Sequence, residues 1–450
     1  MKNMKAIRNS DFGEKLIQDY LDVFNTYSFK NELYGRMSLH VLLGQALKNV
    51  YYRMGSRVID IRLHLLLIKP QGTGKGAGYG FVERIANELE LNFQSLTEST
   101  DAGLVGTTEQ QNKQTVIVPG LLQTADIVGM EEASVIFDYT SEFSKKNMTY
   151  MQITMNPLQD SSCRITKKLG AEMIDFKPHA SFILMSYPPD KLVDKIVKTG
   201  FLDRTVAVFE DVTLADRLEV IKKMSENINV STKESFDAEF DFVRRRLQTI
   251  LDKFGKDDIC ITIPENIHKL MLQVIDEFAQ KILDASPKAR EKLEHFISRL
   301  YEVLLKLAIH HALLCMRTNM EVSDVVYARM TYLSVWRNLI ISIESLLIIS
   351  PQERSRRHRI IRTSLEEYNR QIRKNEFVRE DVWVRRLTML DNLQSLWDNC
   401  SRETADNNLR KLEKIPELEF KRVSKYEKDK FFERKNFGEV VYLKKIKDIK

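Results

Sequence analysis

Lys69-Pro70-Gln71-Gly72-Thr73-Gly74-Lys75-Gly76 follows an apolar run, Leu63 to Ile68, and precedes a segment with helical spacing, Tyr79 to Leu91. A strand, a glycine-rich turn and a helix, in that order, can cradle phosphates. The glycines let backbone N–H groups converge on anionic oxygens, and the helix N-terminus adds partial positive charge. Gly72, Thr73, Gly74, Lys75 and Gly76 are therefore the candidate nucleotide-binding residues, with Lys75 a point charge for the β- and γ-phosphates of ATP. Two positions depart from the G-x-x-x-x-G-K-[ST] pattern. Lys69 stands where the first glycine is usual, and Gly76 stands where a hydroxyl would meet Mg2+.

Outward from this loop, strand-like runs at Val58–Ile68, Val135–Asp138, Ala180–Met185 and Thr205–Phe209 alternate with helical patterns. That alternation predicts an α/β core over residues 56–213, with a parallel sheet covered by helices. Residues 1–55 read as an N-terminal helical segment, with helices over Lys15–Asn25 and Met37–Met54. Residues 214–350 read as a helical lid interrupted at Cys260-Ile-Thr-Ile-Pro264. The charge run from Pro351 to Arg359 marks a boundary. Beyond it, residues 351–450 read as helices Ile360–Lys374, Val384–Cys400 and Arg402–Lys414, then strands Glu419–Ser424 and Glu439–Lys445. Three helices and a hairpin are the order of a winged helix. Ser401 is a good N-cap for the third helix, whose exposed face would carry Arg402, Arg410 and Lys411 toward DNA.

Composition narrows the function classes. A chain of 450 residues can hold two or three domains. No apolar run approaches the ~20 residues of a membrane span; Leu339 to Ile349 is short and carries Glu344. The N-terminus lacks an apolar signal core, so the expectation is a cytoplasmic protein without a membrane partner. Cys163, Cys260, Cys315 and Cys400 form no C-x-x-C pair, which argues against a zinc site or a disulfide framework. The net charge of +6 is uneven. Arg354 to Lys450 holds 26 Lys+Arg against 17 Asp+Glu, a net +9, while the remainder, 43 against 46, carries −3. A basic C-terminal module on a near-neutral body suits a polyanion.

Further candidates belong to a hydrolytic site. Val135-Ile-Phe-Asp138 is an apolar strand ending in an acid, so Asp138 is the candidate metal residue, holding Mg2+ through water. Tyr139 follows it, and Glu142 is the nearest carboxylate that could polarise an attacking water. Ser186, ending the run from Ala180, can orient the γ-phosphate and that water. Arg204, in Thr199-Gly-Phe-Leu-Asp-Arg204, can stabilise charge on a neighbour's γ-phosphate; an ion pair with Asp203 or Glu210 is its plain structural alternative. His310 and His311 could suggest a metal site, but without a paired carboxylate or cysteine they read as packed on the lid helix.

In this order the segments resemble the AAA+ ATPases, specifically the minichromosome maintenance helicases and their plasmid- and virus-borne relatives. Thr100-Asp-Ala-Gly-Leu-Val105 looks like the T-x-A-G-L element, and Thr107 to Val128 like the helix-2 insertion. Arg164-Ile-Thr-Lys-Lys-Leu-Gly170 looks like the S-I-A-K-A-G hairpin, which puts Lys167 at the DNA-touching lysine and Lys168 beside it. Phe201-Leu-Asp-Arg204 is similar to L-S-R-F, and Arg299 to Ala312 to R-x-L-E-x-L-I-R-L-A-x-A-H-A, with Arg299 at the second sensor. Val322 to Arg329 resembles the V-x-x-x-D-V-x-x-A helix that follows.

The resemblance covers roughly residues 55–345 and implies a homo-hexameric helicase on single-stranded and forked DNA, with ATP and Mg2+ between subunits. It would serve replication of a mobile element or virus, at a nucleoid or viral replication site, with a primase or initiator as a further partner. Lys75, Asp138 and Glu142 would act in cis; Arg204 and Arg299 would reach across. Residues 1–55 are expected to be too few for the family's N-terminal domain, and Gly76, Tyr139 and Ser186 depart from the family's pattern. Two other readings stay open: a nucleotide-binding initiator or loader scaffold with little hydrolysis, and an ATP-dependent DNA-binding regulator.

Overall fold

The apolar run leading into the glycine-rich loop is a strand, but a shorter one than its sequence predicts. The structure is a computed structural model. It describes residues 9–28, 31–96, 100–111, 114–133, 142–169, 172–187, 200–210, 212, 217–222, 233–348, 384–385, 390, 401–403, 405, 407, 418–423 and 440–445. The chain separates into two compact units, Met1–Ile348 and Ile349–Lys450.

The first unit opens with α1 (Asn9–Ser28) and α2 (Glu32–Ala46), then β1 (Val50–Met54), β2 (Arg57–Asp60) and β3 (Leu65–Ile68). Val50–Met54, expected as the end of a helix, is a strand. Its β-branched and aromatic residues suit a pleated surface, and it pairs antiparallel with β2 and parallel with Ile259–Ile261. The 58–68 run is split because Arg62 turns inward. Its buried guanidinium pairs with Asp60 at 2.8 Å and donates to the Asn156 carbonyl at 2.9 Å. Breaking that pair would strand a buried charge.

After the loop come α3 (Lys75–Glu88), β4 (Phe93–Ser95), α4 (Asp101–Val105) and a hairpin of β5 (Gly106–Gln111) and β6 (Gln114–Pro119). Then follow α5 (Leu121–Thr124), β7 (Ile127–Met130), α6 (Glu142–Thr154), a hairpin of β8 (Ile165–Leu169) and β9 (Glu172–Phe176), β10 (Ser181–Ser186) and β11 (Val206–Phe209). Five strands make one parallel sheet in the order β11-β3-β10-β7-β4. Every residue of β3, β7, β10 and β11 is buried, as strands covered on both faces require. The fold is α/β. The expected strand Val135–Asp138 lies outside the described residues; beside β10 stands Ile127–Met130.

The rest of this unit is helical: α7 (Lys233–Phe254), the short β12 (Ile259–Ile261), α8 (Glu265–Leu283), α9 (Pro287–Leu314) and α10 (Val322–Ile348). Ser286 caps α9 by accepting from the Ala289 N–H, with Pro287 at the first position, where its missing donor costs nothing. Trp336 is fully buried between these helices and satisfies its indole N–H on the Phe278 carbonyl at 3.2 Å. Among the described residues no helix is long and apolar enough to cross a membrane.

In the second unit, β13 (Val384–Arg385), β14 (Leu418–Val423) and β15 (Val440–Lys445) form an antiparallel sheet ordered β13-β15-β14. Val384 and Arg385, expected to begin a helix, instead pair with Leu443 and Tyr442. Cross-strand pairing overrides their helical spacing. Arg402 is helical and exposed; Arg410 and Lys411 lie outside the described residues.

Candidate functional site

Three neighbouring parallel strands, β3, β10 and β7, end side by side, and polar residues follow each of them. Lys69–Gly76 leaves β3, Tyr187 leaves β10, and Glu131-Glu132 leaves β7. The crevice outside the carboxyl ends of such a sheet is where α/β folds bind ligands.

Backbone geometry explains the glycines. Gly72 and Gly74 hold φ of +70° and +77°, the left-handed region that glycine enters at no steric cost. A Cβ on Gly74 would also come within 2.3 Å of the Ser28 carbonyl oxygen. Gly74 is the N-cap of α3, and Lys75 begins it, so the helix N-terminus opens on the loop. The Thr73 hydroxyl donates to the Pro70 carbonyl at 2.9 Å. The connection between α1 and α2 braces the loop from outside. Asn31 Nδ2 donates to the Thr73 carbonyl at 3.0 Å, and Asn31 Oδ1 accepts from Lys69.

Lys69, where a glycine is usual, is buried and ion-paired with Glu210, just past β11, at 2.5 Å. Lys75 Nζ donates to the Lys69 carbonyl at 2.7 Å and lies 3.4 Å from the Ser186 carbonyl oxygen. It also sits 4.0 Å from the Tyr187 ring centre. Burial, then the Lys69 charge, pushes the Lys75 ammonium down to about 8, against the opposing pull of Glu132 and Glu131. Among the described residues the lysine makes no ion pair. Ser186 comes to the same place, but its hydroxyl is turned to the Tyr187 carbonyl at 3.0 Å.

The acids beside this loop are Glu131 and Glu132. A Cβ built on Gly76 would lie 3.4 Å from Glu131 Oε1, and Tyr187 Oη donates to Glu132 Oε1 at 3.3 Å. Asp138 lies outside the described residues, as does the side chain of Glu142, which begins α6. Their proposed roles at the loop are therefore not tested by the described residues, among which Glu131 and Glu132 act on the Lys75 charge. The signal for them was Ile127-Val-Gly-Met130 followed by two acids. Gly129 weakened it by interrupting the apolar run. That glycine is structural, since a Cβ would fall 2.2 Å from Tyr79 Oη and 2.6 Å from the Phe93 ring. Sequence reading also missed Arg217, whose Nη1 would lie 3.7 Å from a Cβ on Gly72.

Arg204 and Arg299 form a second centre. Arg204 Nη1 donates to the Gly200 carbonyl at 2.5 Å and lies 3.9 Å from Asp203. Arg299 pairs with Glu302 at 2.9 Å. Burial, opposed by Asp203, lowers the Arg204 pKa, and the Arg299 charge lowers it further. The Arg204 Nε is buried with no hydrogen-bond partner among the described residues. Neither arginine touches the 69–76 loop among the described residues.

The two lysines of β8 differ in exposure. Lys168 is exposed, whereas the Lys167 side chain is largely buried, with its ammonium 3.0 Å from Asp101. His311 does have a carboxylate, supplied by the next helix. Its Nδ1 is 2.6 Å from Asp324, and although burial opposes protonation, Asp324 raises the ring to about 9. His310 bonds to the Ile61 carbonyl at 2.9 Å and is held down to about 3 by burial. Among the described residues no group of three or more His, Cys, Asp or Glu could hold a metal ion.

No protein-family model matches the chain, and no curated protein matches it significantly.

Proposed function

We propose that the chain is an ATP hydrolase of the AAA+ type, a ring-forming helicase that moves on single-stranded DNA. The observation that carries this reading is the convergence of Lys75, Ser186 and Glu131-Glu132 at the carboxyl ends of three adjacent parallel strands. The left-handed glycines at the head of α3 fit a triphosphate. Lys75, depressed and with no carboxylate in hydrogen-bond reach among the described residues, fits as the residue that meets its β- and γ-phosphates. Paired carboxylates suit a hard, oxygen-seeking cation, so Glu131 would hold Mg2+, on its own or through water. When bound, Mg2+ supplies neutralisation of phosphate charge. Glu132, steadied by Tyr187, would take the proton of the attacking water.

The hairpins β5–β6 and β8–β9 support contact with a nucleic-acid strand, and the β13-β15-β14 order supports a winged helix in the second unit. Six subunits, forked DNA and a primase or initiator remain part of this proposal. ATPase turnover with and without single-stranded DNA tests it: strand should stimulate turnover, and Lys75→Ala should abolish it. Unchanged turnover in Lys75→Ala would overturn the reading. Gly76, which offers no hydroxyl to Mg2+, favours a second reading, a loader or initiator that binds nucleotide and hydrolyses it slowly. Such a protein would bind a fork without opening it.

A further inference from the structure

Lys167 and Lys168 are neighbours on β8, and successive strand residues face opposite sides, so the two cannot do the same work. Lys168 shares the exposed side with Thr166 and makes no ion pair among the described residues. Arg164, an exposed cation just before this strand, is held by Asp175 through two nitrogens, one of them at 2.7 Å. Lys167 faces inward. Its ammonium lies 3.0 Å from the Asp101 carboxylate and donates to the Gly106 carbonyl at 3.1 Å.

Those partners belong to the other hairpin's root. Asp101 begins α4, and Gly106 is the first residue of β5. The junction is tightly built. Gly106 holds φ of +114°, and a Cβ there would meet the Val118 carbonyl oxygen at 2.6 Å and Ile174 Cδ1, from β9, at 3.1 Å. Lys167 and Ile174, opposite each other at the middle of the β8–β9 hairpin, therefore both approach the root of the other hairpin.

We propose that Lys167 is a positioning residue, a latch that makes the β5–β6 and β8–β9 hairpins move as one body, and that Lys168 makes this hairpin's contact with strand phosphates. This rests on the strand-translocating reading above.

The test is binding of the full chain to a fluorescein-labelled oligothymidylate across a salt series, with the strand-stimulated ATPase ratio measured in parallel. Each phosphate contact on a single strand contributes about 0.7 to the slope of log affinity against log salt. Lys168→Ala should lower the slope by about that amount per engaged subunit. Lys167→Ala and Asp101→Asn should leave the slope unchanged and reduce the stimulation ratio severalfold. A slope that falls in Lys167→Ala but not in Lys168→Ala would overturn the inference. So would a wild-type stimulation ratio in Asp101→Asn, a variant that keeps size and loses only charge. A wild-type chain that binds no strand overturns the translocation reading and the latch together; a strand-binding chain with the wrong variant pattern overturns the latch alone.

Discussion

Raising the pH from 7 to 9 should weaken ATP binding about tenfold, and the cause lies in one side chain. Lys75 is depressed to about 8 from the ordinary 10.5, because burial and Lys69 outweigh the help from Glu132 and Glu131. At pH 7 the free protein carries this ammonium nearly fully charged; at pH 9 only roughly a tenth of it is. A triphosphate on the loop restores the charged form, so binding above pH 8 must take up a proton. The tenfold loss corresponds to about 1.4 kcal/mol, and the full return toward 10.5 would be worth roughly 3 kcal/mol at most. The phosphate's own last proton leaves near pH 6, at about one pH unit below the window. Equilibrium binding of a fluorescent ATP analogue gives the profile, and calorimetry in buffers of different ionisation heat counts the proton. Lys75→Arg should be flat over the same range, since a guanidinium stays charged. A flat wild-type profile, or an equal slope in Lys75→Arg, would refute the argument.

Four further outcomes follow from the same geometry. Glu132→Gln should retain ATP binding and lose at least ~100-fold in phosphate release, the usual worth of a general base; an equal loss in Asp138→Asn with Glu132→Gln active would move the acid elsewhere. Gly76→Ser should raise Mg2+-dependent turnover, because the new Cβ would sit 3.4 Å from Glu131 Oε1, without a clash; turnover measured against Mg2+ concentration decides it. Arg204→Ala mixed in equal amount with wild type should leave well under half the activity, whereas simple dilution would place the arginine in its own subunit's site. Acid should destabilise the fold through His40, His64 and His310, all buried with pKa values held down by burial. Below the ordinary 6.5 the unfolded chain protonates at these rings and the native chain does not, so stability falls with pH down to about 3 for His310. Each ring contributes about 1.4 kcal/mol per pH unit, visible in urea midpoints between pH 6.5 and 4.5, and His310→Gln should flatten the curve.

The glycine-rich turn between β3 and α3 was legible because its constraints are local: left-handed glycines and a helix start leave their mark on consecutive residues. The strand Ile127–Met130 was not, because Gly129, which interrupts its apolar run, answers to Tyr79 and Phe93, residues on α3 and β4 that only the folded sheet brings to it. The same limit produced the misread helix at Val50–Met54, whose strand character depends on pairing with Ile259–Ile261 far along the chain. Lys167 and Lys168 were equivalent as letters. Asp101 separates them, and its distance from Lys167 exists only after folding.

Arg204 supplies the strongest reason to think about more than one subunit. It precedes β11, which runs parallel to β3 with Val206 beside Leu65 and Phe209 beside Ile68. The glycine-rich loop leaves the carboxyl end of β3, so Arg204 sits at the opposite end of the sheet. At ~3.3 Å per residue the strand alone separates the two by roughly 16 Å, beyond the reach of a guanidinium. Arg299, a second cation in the same neighbourhood, also makes its contacts away from the loop. Burial is the main cost to the Arg204 guanidinium, and the pull of Asp203 exceeds the repulsion from Arg299. Among the described residues its buried Nε has no hydrogen-bond partner, which adds to that cost. An anion presented by another copy would relieve both, and the phosphates proposed for Lys75 are such an anion. The arrangement is costly for a lone chain, and the proposed ring would offset that cost.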